Sequence, residues 1–219
     1  MTDFFREVDE EVRRDRVLKF WQKYQNWLIG GALLLVIGTG AWRLYENYRI
    51  SAAESAGARY QAALRALSSG NTDEAQTALA GLENDKSQGY AALARFLSAD
   101  LIAAKDPAAG VKAYEALAAD PNISSATQAA AQVRAAMIWV DREDPKKFIL
   151  RFSPYAVTGK PFANTYRELL ALAALKGGDY EGAGQWLDQI VVDADAPPGV
   201  RNRAQALLGL VRAGKLSGQ

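Results

Sequence analysis

Charged residues stop at Lys23 and resume at Arg43. Between them lie nineteen uncharged residues, Tyr24 to Trp42, whose centre reads Leu-Ile-Gly-Gly-Ala-Leu-Leu-Leu-Val-Ile over residues 28–37. As a helix rising about 1.5 Å per residue the run reaches roughly 28 Å, close to the hydrocarbon thickness of a bilayer. The pattern predicts a transmembrane helix over residues 24–45, with Leu28, Leu33, Leu34, Leu35, Val36 and Ile37 as its apolar body. Tyr24 and Trp27 stand at one end, and Trp42, Tyr45 and Tyr48 at the other, where amphipathic rings favour the headgroup region. Lys23 and Arg43 sit where a cationic tip reaches water while its methylenes stay in lipid. Gly30, Gly31, Gly38 and Gly40 are never four apart, so the GxxxG dimer signature is absent.

Residues 1–23 read as a cytoplasmic amphipathic segment, with Phe5, Val8 and Val12 on one helical face and acids concentrated early, as the helix dipole prefers. That face suits either an interfacial helix or a docking site for a partner. Signal peptides begin short and positive, whereas Asp3, Glu7, Asp9, Glu10, Glu11 and Asp15 precede this run. An uncleaved anchor is therefore expected. Lys and Arg near the membrane number six on the N-terminal side (Arg6, Arg13, Arg14, Arg16, Lys19, Lys23) and three beyond it (Arg43, Arg49, Arg59). The bias predicts a cytoplasmic N-terminus, and in a bacterium a periplasmic domain over residues 46–219 anchored in the inner membrane.

Beyond residue 46 the chain is rich in Ala and Leu, with turn signals at Gly70-Asn71, Asp106-Pro107, Asp144-Pro145 and Gly178-Asp179. Measured from Asn71, Asp106, Asp144 and Asp179, the spacings are 35, 38 and 35 residues. A helix pair per unit and a period near 34 are the arithmetic of tetratricopeptide repeats, which the chain resembles. The likeness is sharpest over Tyr166 to Ile190, where Gly-Asp-Tyr forms the turn, Ala183 is the small residue opening the second helix, and Leu187 follows four later. Ala75, Leu79 and Leu82 match those places in the first unit, and Gly110, Tyr114 and Leu117 in the second. A small residue there lets paired helices approach closely.

The third unit departs. Phe148 holds the small position and Ser153-Pro154 interrupts the second helix, so an irregular hairpin is expected there. Its first helix is expected over roughly residues 126–141, capped by Ser124 or Ser125, with Val133, Met137 and Val140 on one stripe. Val200 to Ala213, carrying Arg201, Arg203 and Arg212, reads as a polar terminal cap. The fold expected is thus all-α: an N-terminal transmembrane helix, a tetratricopeptide-like α-solenoid of about four helical hairpins, and a C-terminal capping helix. In such arrays the first helix of each pair lines a groove that receives peptides. The repeat register directs Tyr60 and Leu64, Arg95 and Ala99, Val133 and Met137, and Glu168 and Leu172 toward it. A register shift of one residue turns each side chain by about 100° and makes the apolar members core instead.

Composition narrows the chemistry. Net charge is +1, from 26 Lys and Arg against 25 Asp and Glu, so no global field holds nucleic acid. The sequence contains neither Cys nor His, which removes thiolate chemistry, the commonest metal ligand and the commonest general base. Gly177-Gly178 lacks the Lys-Ser or Lys-Thr sequel of a phosphate loop, and no calcium-loop spacing occurs. No catalytic residue, cofactor, metal or small-molecule substrate is expected, and the function should lie in binding surfaces.

The opening stretch, Phe5 to Arg13 (Phe-Arg-Glu-Val-Asp-Glu-Glu-Val-Arg), then Trp21-Gln-Lys-Tyr24 and Leu28-Ile-Gly-Gly-Ala32, together with the architecture, resembles the bacterial ancillary SecYEG translocon subunit family. The resemblance implies association with translocon channel subunits and with periplasmic chaperones or nascent chains. Related repeat domains also resemble envelope scaffolds that coordinate cell-division or wall-synthesis complexes, the alternative expectation.

Overall fold

The computed structural model describes the backbone of residues 2–217 and the side chains of residue 21 and residues 23–214. The apolar face expected at Phe5, Val8 and Val12 lies outside the described side chains. Among the described residues the chain is all-helical, with nine α-helices: α1 (Thr2–Ser68), α2 (Thr72–Ala80), α3 (Gln88–Lys105), α4 (Pro107–Ala118), α5 (Ser125–Trp139), α6 (Pro145–Phe152), α7 (Ala163–Lys176), α8 (Tyr180–Val192) and α9 (Pro198–Ser217). A 3₁₀ turn, Ser153–Tyr155, follows α6. The chain divides into two compact units, Met1–Glu54 and Ser55–Gln219.

In the first unit, Tyr24, Trp27, Leu28, Leu33, Leu34, Leu35, Val36, Ile37, Trp42 and Tyr45 are all exposed. Lys23–Ser68 contains a helical window long and apolar enough to cross a membrane, and none of that window is buried. Burying an apolar side chain is worth about 1.5–3 kcal/mol, so a bare apolar run of this length is unstable in water without something to cover it.

In the second unit the four break residues are the N-caps of the four second helices. Asp106 accepts hydrogen bonds from the Ala108 and Ala109 amides, Asp144 from Lys146 and Lys147, and Asp179 from Gly182. Asn71 occupies the same place at α2 without a side-chain cap. Capping satisfies amide groups that the first turn of a helix leaves without partners. Ahead of two caps, Gly70 and Gly178 take positive φ, which closes α1 and α7. There the Asn71 and Asp179 amides return to the Ala66 and Ala174 carbonyls at 2.8 and 2.9 Å.

The small-residue positions are buried as the repeat pattern requires: Ala75, Gly110 and Ala183 lie against the partner helix, followed by buried Leu79, Tyr114 and Leu187. A Cβ on Gly110 would overlap the Ala103 backbone and side chain, so α3 and α4 meet there at backbone distance. The core is a chain of local clusters. Ala56, Ala63, Leu79, Leu82 and Ala94 form one; Ala99, Val111, Tyr114, Leu117, Ala131 and Ala135 form the next. Larger clusters follow around Phe148 and Tyr166 and around Leu187 and Ile190. Each is shared by neighbouring units, which is how a repeat array gains stability.

The third hairpin is irregular, as its sequence suggests. Phe148 is fully buried and packs at a tilt against Phe152, ring centroids 4.6 Å apart, and α6 packs chiefly on α7 instead of its own partner α5. The segment after the 3₁₀ turn leads to Phe162, which has φ of 59° and stands at the start of α7. The α5–α6 turn is held from α7, where the Lys176 ammonium donates to the Val140, Asp141 and Glu143 carbonyls. Ser124 caps α5 through the Thr127 amide, and α9 extends the expected terminal helix at both ends.

Candidate partner-binding groove

The end of α1, with α3 and α5, encloses an open cavity of about 500 Å³. These are the first helices of three consecutive hairpins. Its lining is mostly apolar: Leu93, Phe96 and Leu97 from α3, Ala126 and Ala130 from α5, and Tyr60 from α1. Leu93 remains 48% exposed. An apolar side chain held in that state on a folded surface gains from being covered. Charge enters through two residues, Asp100 of α3 and Arg134 of α5.

Behind the groove the Tyr114 hydroxyl donates to Asp100 Oδ1. Burial, and then that bond to the Asp100 carboxylate, push the Tyr114 hydroxyl far above its ordinary range, so it stays a proton donor. Tyr60 shifts upward for the same reasons, burial first and the Asp100 charge second. Arg134 acts on Tyr114 in the opposite sense, which brings Asp100 and Arg134 to the same neighbourhood.

Three ion pairs of one repeated design lie elsewhere in the hairpins. Arg59 pairs with Asp85, Arg95 with Asp120 and Arg167 with Asp193. Each joins the first helix of a hairpin to the segment that follows its second helix. Each Asp also accepts the backbone amide two residues on, from Ser87, Asn122 and Asp195 respectively. All three carboxyls are held below the usual range. At Asp85 the Ser87 amide is the largest cause, at Asp120 the Arg95 guanidinium, and at Asp193 the Asp195 amide followed by Arg167. Among the described residues the third hairpin has no such latch. Arg167 extends its own to that neighbour, donating to the Ala156 carbonyl at 3.0 Å and to Thr158 Oγ1 at 2.6 Å.

The expected groove residues therefore divide. Tyr60 lines the cavity, Leu64 is exposed one turn further along α1, and Met137 and Leu172 are exposed on α5 and α7. Four others require correction. Val133 is 5% exposed and belongs to the core, because α5 is rotated by one residue from the expected register and presents Arg134 instead. Arg95 is engaged by Asp120 in a latch, and neighbouring Ala99 is buried against α4. Glu168 is 8% exposed and accepts two hydrogen bonds from Arg203 of α9, at 2.6 and 2.8 Å, so it joins the last two first-type helices. Met137 likewise leaves the stripe expected with Val133 and Val140, where Ala136 is buried in its place.

Sequence reasoning missed Leu93, Phe96, Asp100 and Arg134 as lining residues and missed all three latches. The latches had a signal: Asp85-Lys-Ser87, Asp120-Pro-Asn122 and Asp193-Ala-Asp195 each place Asp two residues before a turn-forming residue, with an Arg 25 or 26 positions earlier. Among the described residues no group of three or more acidic, His or Cys side chains is placed to hold a metal ion.

A family model described as a tetratricopeptide repeat-like domain matches residues 18–169. The match takes in the apolar run and the first three hairpins and stops within α7. No curated protein and no solved structure matches the chain.

Proposed function

The chain belongs to the tetratricopeptide repeat-like domain family, and from that premise we propose that it is a membrane-anchored protein-interaction module, an ancillary translocon subunit whose groove receives polypeptide partners at the periplasmic face. Helical arrays of this family typically serve protein binding rather than catalysis. The observation that carries the reading is the apolar, open groove formed by Tyr60, Leu93, Phe96 and Leu97. Anchoring rests on the uncovered apolar run and its aromatic flanks, orientation on six cationic residues against three, and the translocon on the resemblance of the opening stretch. The membrane boundaries belong to the same proposal: residues 1–23 cytoplasmic, 24–45 spanning, 46–219 periplasmic.

The test places a photoreactive amino acid at Leu34 in the apolar run and, separately, at Leu93 in the groove of the full chain in native membranes, and identifies what is captured. Translocon channel subunits from Leu34, with chaperones or emerging chains from Leu93, are the expected products. Recovery of wall-synthesis or division proteins alone would replace the translocon role by an envelope scaffold. Protease that reaches the repeat domain from the cytoplasmic side would overturn the orientation.

A further inference from the structure

The two charged side chains that line the groove, Asp100 and Arg134, form no ion pair among the described residues. Arg59, Arg95, Arg151, Arg167 and Arg203 each have a carboxylate partner. Asp100 has no cationic partner: the Tyr114 hydroxyl occupies Oδ1, and Oδ2 takes no hydrogen bond among the described residues. Arg134 makes neither an ion pair nor a hydrogen bond among the described residues, although it is close enough to Tyr114 to act on its hydroxyl. A fixed acceptor and an unengaged donor thus share one apolar wall.

A surface of this kind suits an occupant that offers a donor and an acceptor together, surrounded by apolar groups. A lysine or arginine side chain would satisfy Asp100 and be repelled by Arg134, and an acidic one the reverse. Along its length a helix spends its amides and carbonyls internally, leaving free ones only at its ends. An extended chain presents both, free and adjacent, with alternate side chains available for Leu93, Phe96 and Leu97. We infer that Asp100 and Arg134 grip the main chain of an extended, apolar, unfolded polypeptide segment lying in the groove, Asp100 accepting an amide N–H and Arg134 donating to a carbonyl. Recognition of this kind reads hydrophobicity and extension with little regard for sequence. It rests on the groove reading above and adds to it the nature of the partner.

The experiment uses the full chain in lipid nanodiscs and a fluorescent short peptide of Leu, Phe, Ala and Gln with both ends blocked. A second peptide carries N-methyl groups at alternate amides, and a third has one Gln replaced by Lys. Thermal melting by circular dichroism checks that the Leu93→Asp, Asp100→Asn and Arg134→Met variants remain folded. Leu93→Asp is expected to weaken the blocked peptide by about tenfold or more, and N-methylation to weaken it by about tenfold against the native chain. Against Asp100→Asn the methylated peptide should lose less, because the acceptor it fails to reach is already impaired. Equal affinity for methylated and parent peptides, with Leu93→Asp still damaging, would remove the main-chain grip and leave the groove. Indifference to Leu93→Asp would remove the groove reading as well. Tighter binding of the Lys peptide that depends on Asp100 would replace the main-chain grip by a side-chain ion pair and overturn the inference.

Discussion

The second and third hairpins follow one another in the array and solve the same packing problem in opposite ways. In the second, Gly110 lets α4 meet α3 at backbone distance, Tyr114 and Leu117 fill the space beyond, and Arg95 latches the exit of α4 through Asp120. In the third, Phe148 occupies the place of the glycine, α6 ends after eight residues, and the polypeptide leaves through a 3₁₀ turn at Ser153–Tyr155 with no latch of its own among the described residues. The bulk that separates α6 from α5 is repaid by α7: Phe148, Phe152, Tyr155 and Tyr166 form an aromatic cluster, and Lys176 and Arg167 tie down the hairpin's turn and its exit. The second hairpin is thus closed by its own two helices as well as by α5, whereas the third depends on its neighbour α7.

The difference can be broken at the two equivalent positions. Phe148→Ala should destabilise the array most, by about 3–5 kcal/mol, because a fully buried ring leaves a cavity between α6 and α7. Chemical denaturation of the full chain in nanodiscs measures it. Gly110→Leu should cost about 3 kcal/mol for the opposite reason, overpacking against Ala103, in the same assay. A tolerated leucine at residue 110 would mean that backbone contact does not define the regular hairpin.

The latches sharpen the contrast further. Arg167→Met should lower the melting temperature more than Arg95→Met, since Arg167 holds Asp193, Asn164, Ala156 and Thr158 together while Arg95 holds Asp120 alone. Hydrogen exchange should show the Arg167→Met loss spreading into residues 153–162, in the third hairpin, and the Arg95→Met loss confined to the second. Acid acts on the same pairs. Asp85, Asp120 and Asp193 have folded pKa values lowered from an unfolded value of about 3.9, so their contribution is complete above that pH and is lost as pH falls through the folded values. Melting temperature should therefore decline below about pH 4, with a shallower acid limb in Asp120→Asn, and exchange in α6 should respond least. The smallest effect is expected at Leu93→Asp, within about 0.5 kcal/mol, because the side chain is half exposed and carries binding instead of core packing.

Much of the fold was legible because its signals are local. Asn71, Asp106, Asp144 and Asp179 mark the second helices because a cap must sit at the helix start, and the small residues at 75, 110 and 183 follow from one close approach repeated. The departure at Phe148 and Pro154 was equally visible. The groove was only half legible, because its lining depends on helix rotation: a one-residue offset in α5 exchanges Val133 for Arg134, and periodicity fixes a face less tightly than that. The latches stayed hidden because each joins residues 25 or 26 apart through side chains, a distance over which hydrophobic pattern carries no information.

In the proposed function this groove, on the first helices, is where the chain meets polypeptide. The most direct measurement compares photocrosslinking from Leu93, in the groove, with photocrosslinking from Leu150, an 80% exposed leucine on the second-type helix α6, in the full chain in native membranes. Polypeptide adducts that a blocked apolar peptide displaces are expected from Leu93, and few from Leu150. Equal yields from the two positions, undiminished by the peptide, would contradict it.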